Sequence, residues 1–285
     1  MPLSIQEHEM AYKNIILDSL KESFYLIWKN KRWFVLLFVL EILFLIALSA
    51  VNYHYQIEIV GHSKAISDYI SKLQLDEAAV ADSLMQQKSI LGDDPLLISR
   101  KSNEILRNFR LMLASILALM LVFLSTSWAI TARAAYKINL KNFIKFSVQV
   151  FFVLMFYLGI IFLFFYYLVN ISLLQIAFNP YMLGLKYALF LAVLILSLYF
   201  MFISLSLVHK TGIRNIAQKT LVIGIRKAHY ALGAYAVNAF FLAVPAVIFF
   251  SFEKSMLALF SSTMLLVFSL VFGRFFMLKT FEKIS

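Results

Sequence analysis

The chain of 285 residues contains no cysteine, which excludes disulfides, thiolate metal sites, thiol catalysis and S-acylation. It leaves the compartment undecided, because oxidising and reducing environments both tolerate a chain without thiols. Charge is scarce as well. Only 14% of residues are Asp, Glu, Lys or Arg, against ~25% in a soluble domain. The five histidines, His8, His54, His62, His209 and His229, show no metal-binding spacing. The eight glycines form neither a P-loop nor a dinucleotide fingerprint, and no Gly-x-Ser-x-Gly elbow occurs. No catalytic residue, metal site or cofactor is therefore expected. A non-enzyme is the reading that follows.

What is abundant is apolar. Sixty-two per cent of the chain is hydrophobic, with 29 Phe. A soluble fold of this size could not hide that much apolar surface, and disorder is excluded by the same composition. Lipid must be the solvent for much of the chain. A spanning helix needs roughly 20 mostly apolar residues, and six stretches qualify: 33–51, 111–132, 147–169, 183–208, 231–252 and 256–278. The expected fold is an all-α integral membrane protein of six transmembrane helices. The mixed-charge segment 1–32 is too long and too polar for a cleaved signal peptide, and reads as a cytoplasmic amphipathic helix ahead of an uncleaved anchor.

Orientation follows from the basic residues. Segment 1–32 carries Lys13, Lys21, Lys29, Lys31 and Arg32; 133–146 carries Arg133, Lys137, Lys141 and Lys145; 209–230 carries Lys210, Arg214, Lys219, Arg226 and Lys227; Arg274 and the tail 279–285 add more. The opposite loops have no positive excess. Segment 170–182 is uncharged, 253–255 holds Glu253 and Lys254, and 52–110 balances seven basic against eight acidic residues. Both termini are expected in the cytoplasm, in a plasma membrane of a prokaryote. The net charge of +11 and pI of 9.7 then reflect this bias and an attraction to anionic lipid head groups, with no nucleic-acid partner. The head-group contacts expected are Lys137, Lys141, Lys145, Arg226 and Lys227.

The loop 52–110 reads as an extracytoplasmic helical hairpin. Asp76 is placed to cap a helix over 78–91, and Gly92-Asp93-Asp94-Pro95 stops it and starts another. From Leu96 helical spacing runs unbroken to Arg133, so span two begins outside the membrane. This hairpin is the expected contact for a membrane-protein partner. Asn170-Ile171-Ser172 matches a glycosylation sequon, relevant only in a glycosylating host.

Basic amphipathic stretches precede each odd span. Ile16, Leu20, Phe24 and Ile27 share a face in the first; Tyr136, Leu140, Phe143 and Ile144 in the second; Ile213, Ala217 and Leu221 in the third. Such helices can lie in the head-group layer, and the chain can be read as three elbow-plus-hairpin repeats. Three two-span units also outline the mitochondrial carriers, but Pro2, Pro95, Pro180 and Pro245 carry none of their signature. The pattern around 18–51, 135–169 and 219–252 more closely resembles poorly characterised prokaryotic six-span families. These include the membrane domain attached to some glycerophosphoryl diester phosphodiesterases. The resemblance is one of pattern over most of the chain. It carries no active-site residue, because the phosphodiesterase activity belongs to a separate soluble domain.

Glu41, near the middle of span one, is the sharpest oddity, since an intramembrane carboxylate is costly and usually paired or protonated. It is either a proton- or cation-coupling site or a structural group bonded to a neighbour such as Ser125 or Thr126. Lys186 either snorkels or pairs with Glu41, and Arg274 is expected to snorkel. Gly233, Ala236, Ala239, Ala243 and Ala246 make a small-residue stripe that predicts a central position for span five. Asn238 beside it could bond across helices, and Pro245 bends the span as a packing kink or a hinge. The expected function is a scaffold or accessory subunit acting through lipid and protein contacts. The alternative is a small transporter or permease subunit coupled through Glu41, which lacks the paired, broken helices of a substrate site.

Overall fold

Without water to satisfy backbone groups, an apolar chain in lipid closes its hydrogen bonds within each segment, and the helix is the element that does so. The computed structural model describes residues 5–72, 94, 96–169, 180–252 and 254–285, and all regular structure among them is helical. In chain order the helices are α1 Ile5–Lys29, α2 Lys31–Lys72, α3 Leu97–Tyr136, α4 Leu140–Val169, α5 Pro180–Arg226, α6 Ala228–Ser251 and α7 Met256–Ile284. Six of them, α2 to α7, contain stretches long and apolar enough to cross a membrane. This is a multi-pass membrane chain, and exposed residues such as Leu163, Leu185, Phe240 and Phe250 suit a lipid solvent. The cap at Asp76, the helix over 78–91, the sequon at 170–172 and Glu253 lie outside the described residues.

The chain divides into two compact units, Phe44–Leu119 and the remainder. In the first, α2 and α3 run antiparallel. Tyr55 and Ser115 hydroxyls lie 3.4 Å apart, the Glu104 carboxylate is 3.0 Å from His62 Nδ1, and Tyr69 donates to the Asp94 carbonyl at 2.9 Å. Lys101 donates to Glu104 at 2.7 Å, and Asp94 pairs with Arg100. The helix that holds span one does not stop near residue 51 but runs on to Lys72. With 42 residues, α2 covers ~63 Å at 1.5 Å per residue, about twice the hydrocarbon thickness. Part of it must therefore leave the bilayer, so the first hairpin arm is a continuation of span one.

In the larger unit the most enclosed helix is α7, where Phe272, Phe275, Phe276, Leu278 and Phe281 are fully buried. The central position expected for span five belongs to α7 instead. On α6, only Ala231, Ala234 and Pro245 are buried, and Ala236, Ala239, Ala243 and Ala246 face outward. Small residues permit close approach but do not attract a neighbour, so a small stripe alone fixes no position. Pro245 lacks the N–H that would bond the Phe241 carbonyl four residues back. The Ser269 hydroxyl of α7 lies 2.9 Å from that carbonyl and 2.8 Å from the Leu265 carbonyl of its own helix, so its single proton is shared between them.

The elbows differ from one another. Asn30 separates α1 from α2 and donates its Nδ2 to the Ala134 carbonyl near the end of α3, 3.1 Å away. The buried face of α1 is Ile16, Ser19 and Ser23, with the Phe24 ring 4.5 Å from that of Phe272. Leu17, Tyr25 and Trp28 stay exposed, and Lys31 sits over the Trp28 ring at 4.1 Å. The second elbow is split: α3 ends at Lys137, in the left-handed region with φ 51°, and Leu140 already belongs to α4. Tyr136 and Leu140 are therefore not on one helix. The third elbow is carried by α5, which doubles back. Ser204 and Thr220 hydroxyls meet at 3.1 Å, although 16 residues of straight helix would span ~24 Å. Tyr199 donates to the Gly224 carbonyl at 2.8 Å, which confirms the reversal.

Candidate functional site: a buried ionic junction

The buried ion pair joins the first and last spans within the larger unit. Leu37, Ile130, Ala134, Val271 and Phe275 form an apolar cluster where α2, α3 and α7 meet, with Trp33, Phe34 and Leu40 packed around it. From that cluster Glu41 reaches Arg274. Its Oε1 pairs with Arg274 Nη2 and accepts from Ser127 Oγ at 2.8 Å. Glu41 is 3% exposed, Arg274 7% and Ser127 0%.

Arg274 therefore does not snorkel. A guanidinium in an apolar surround is tolerable only beside an anion. That anion is Glu41, and the pair is neutral as a whole. The expected serine partner on span two exists, but it is Ser127. Ser125 and Thr126 both donate to the Val122 carbonyl of their own helix, at 3.1 and 2.7 Å, and Thr131 donates to that of Ser127 at 2.7 Å. Such back-bonding is what a serine or threonine does when it has no cross-helix partner.

Lys186 is not on Glu41: its Nζ lies 5.3 Å from the centre of the Tyr167 ring. Asn238 points at α7, where its Oδ1 would stand 2.9 Å from a β-carbon added to Gly273. Neither this Oδ1 nor Arg274 Nη1, both buried, has a hydrogen-bond partner among the described residues.

Compared with protein-family models, curated proteins and solved structures, the chain matches none.

A second polar layer lies at the α7 C-terminal end. The Tyr136 and His209 rings stack at 4.0 Å. Tyr136 donates to Glu282 Oε2 at 3.0 Å, and Lys279 donates to the same oxygen at 2.7 Å. Lys283 pairs with Glu22 at 2.8 Å. This layer links α1, α3, α5 and α7. Of the expected head-group contacts, Lys137, Lys141, Lys145 and Arg226 are exposed, whereas Lys227 is half-buried and donates to the Ile284 carbonyl at 2.5 Å.

Glu41 lies ten residues after the start of α2 and Arg274 ten before the end of α7, so each helix runs well past its polar residue.

Proposed function

We propose that this chain is a non-enzymatic polytopic membrane protein, a scaffold or accessory subunit acting through lipid and protein contacts. It sits in the plasma membrane of a prokaryote with both termini in the cytoplasm. The observation that supports this reading is the helical pair in residues 44–119. That pair is clasped by its own polar contacts, yet it leaves Ile57, Val60, Ile70 and Leu96 exposed beyond the apolar spans. A solvated hairpin gains nothing from such side chains, whereas a partner helix or domain would cover them.

Photo-crosslinkers at Val60 and Leu106 should give one discrete heteromeric adduct in cells, and a crosslinker at lipid-facing Leu163 should give none. No adduct from the hairpin positions, or collapse of the bundle on deletion of residues 61–99, would sink the docking role. Orientation is checked separately in the chain's cysteine-free background. An impermeant maleimide should label Ser63→Cys in intact cells, and Asn139→Cys only after permeabilisation.

The transport alternative rests on the intramembrane position of Glu41. It requires Arg274 to release that carboxylate during a cycle, so ion flux into liposomes abolished by Glu41→Gln at unchanged folding would favour it.

A further inference from the structure

Beside the junction of α5 and α6 lies a concavity of about 370 Å³, lined by Asn215, Gln218, Lys219, Val222, Ile223, Lys227 and Ser285. We infer that it is a specific site for the phosphate of one anionic phospholipid. This inference rests on the cytoplasmic placement proposed above and sharpens it from diffuse attraction to a single seat.

Three features converge there. Asn215, Lys219, Val222 and Arg226 share one helical face, being spaced four, three and four residues apart, so amide, ammonium and guanidinium groups present together. Glu282 is held by Lys279 and Lys210 and Glu22 by Lys283, and no carboxylate among the described residues lies within ion-pair distance of Lys219, Arg226 or Lys227. The third feature is Lys227, which joins α5 to α6 and lines the concavity with Lys219. Lys227 spends one N–H on the Ile284 carbonyl, and an ammonium has two more to donate.

The apolar surroundings select a lipid over a soluble anion. Val222, in the lining next to Lys219 on the helix face, is 40% exposed, and Ile223 is the other apolar side chain of the lining. An acyl chain would leave over Val222, which lines the concavity, with its phosphate between Lys219 and Lys227. The Asn215 and Gln218 amides can meet the remaining phosphate or glycerol oxygens.

The test is lipid titration of the full-length protein in detergent, read by native mass spectrometry, with phosphatidylglycerol and phosphatidylcholine of matched chains. One phosphatidylglycerol should be retained in preference to phosphatidylcholine. Lys219→Gln/Lys227→Gln should weaken it roughly 30-fold, about fivefold per lysine. Lys141→Gln/Lys145→Gln, which removes the same charge from a neighbouring loop, should weaken it at most a few-fold. Because Lys227 also anchors the end of α7, Lys219→Glu is the companion variant that spares that contact and should reduce retention alone. Equal losses in the two lysine pairs, equal retention of both lipids, or displacement by millimolar inorganic phosphate would each overturn the lipid site. The hairpin crosslinks at Val60 and Leu106 are read independently, so failure here is distinguishable from failure of the scaffold reading.

Discussion

Glu41→Leu removes the only carboxylate that faces Arg274 among the described residues. The guanidinium cannot shed its proton, so it is left as a buried, unpaired cation, and Ser127 Oγ loses its acceptor. Breaking one side of a buried pair costs about 3–5 kcal/mol. The reverse change, Arg274→Met, should cost less, about 1–3 kcal/mol. The carboxyl left behind can take a proton, become neutral and keep its contact with Ser127. The double variant Glu41→Leu/Arg274→Met replaces the pair with side chains suited to the surrounding Leu37, Leu40, Val271 and Phe275 cluster. It should recover to within ~2 kcal/mol of the parent, with a coupling of roughly 2 kcal/mol or more against the sum of the singles. Equilibrium unfolding by SDS titration in mixed micelles measures all four proteins. Additive losses, or a Glu41→Leu cost under ~1 kcal/mol, would refute the junction as a structural lock. So would an Arg274→Met variant less stable than Glu41→Leu, because a lone buried carboxyl is the cheaper of the two groups to leave behind.

Ser269→Ala should cost about 0.5–1.5 kcal/mol by stranding the Phe241 carbonyl, and should become nearly neutral in a Pro245→Ala background, where a main-chain N–H is restored; the same titration reads both. Gly224→Ala places a β-carbon 2.6 Å from Phe200 Cε1 and 3.3 Å from Tyr199 Cε1. It should cost about 1–3 kcal/mol as a lowered melting temperature in detergent, with partial rescue by Phe200→Leu. An undiminished melting temperature for Gly224→Ala would mean that α5 does not fold back as described.

Particular residues show how far sequence reading reached. The polar character of Glu41 was legible at once, because any carboxylate in an apolar run must find a partner. Which partner it found was not. Ser125, Thr126 and Ser127 are consecutive hydroxyls, and only the azimuth of α3 against α2 turns the third toward Glu41 while its neighbours bond their own helix. The doubling-back of α5 was equally hidden. Lys210 to Arg226 scores as helix whether it continues span four or reverses on it, and Ser204, Thr220, Tyr199 and Gly224 reveal the reversal only as a set. The stripe of small residues on α6 misled, since small side chains mark where a helix can be approached and say nothing of whether one arrives.

The amino-acid sequence alone determined that this chain is helical and holds six apolar segments long enough to cross a membrane. Both properties are local: the length of an apolar run and the need to close backbone hydrogen bonds within it depend on no distant residue. Tertiary structure alone decided the enclosed position of α7, the union of Glu41 with Arg274 and Ser127, and the approach of Ser269 to the carbonyl that Pro245 leaves without its helical donor. In lipid a neighbouring helix and a hydrocarbon tail are equally apolar, so hydropathy cannot separate a face that meets protein from one that meets solvent. Packing and the pairing of a few polar atoms make that distinction, and they exist only once the helices are side by side.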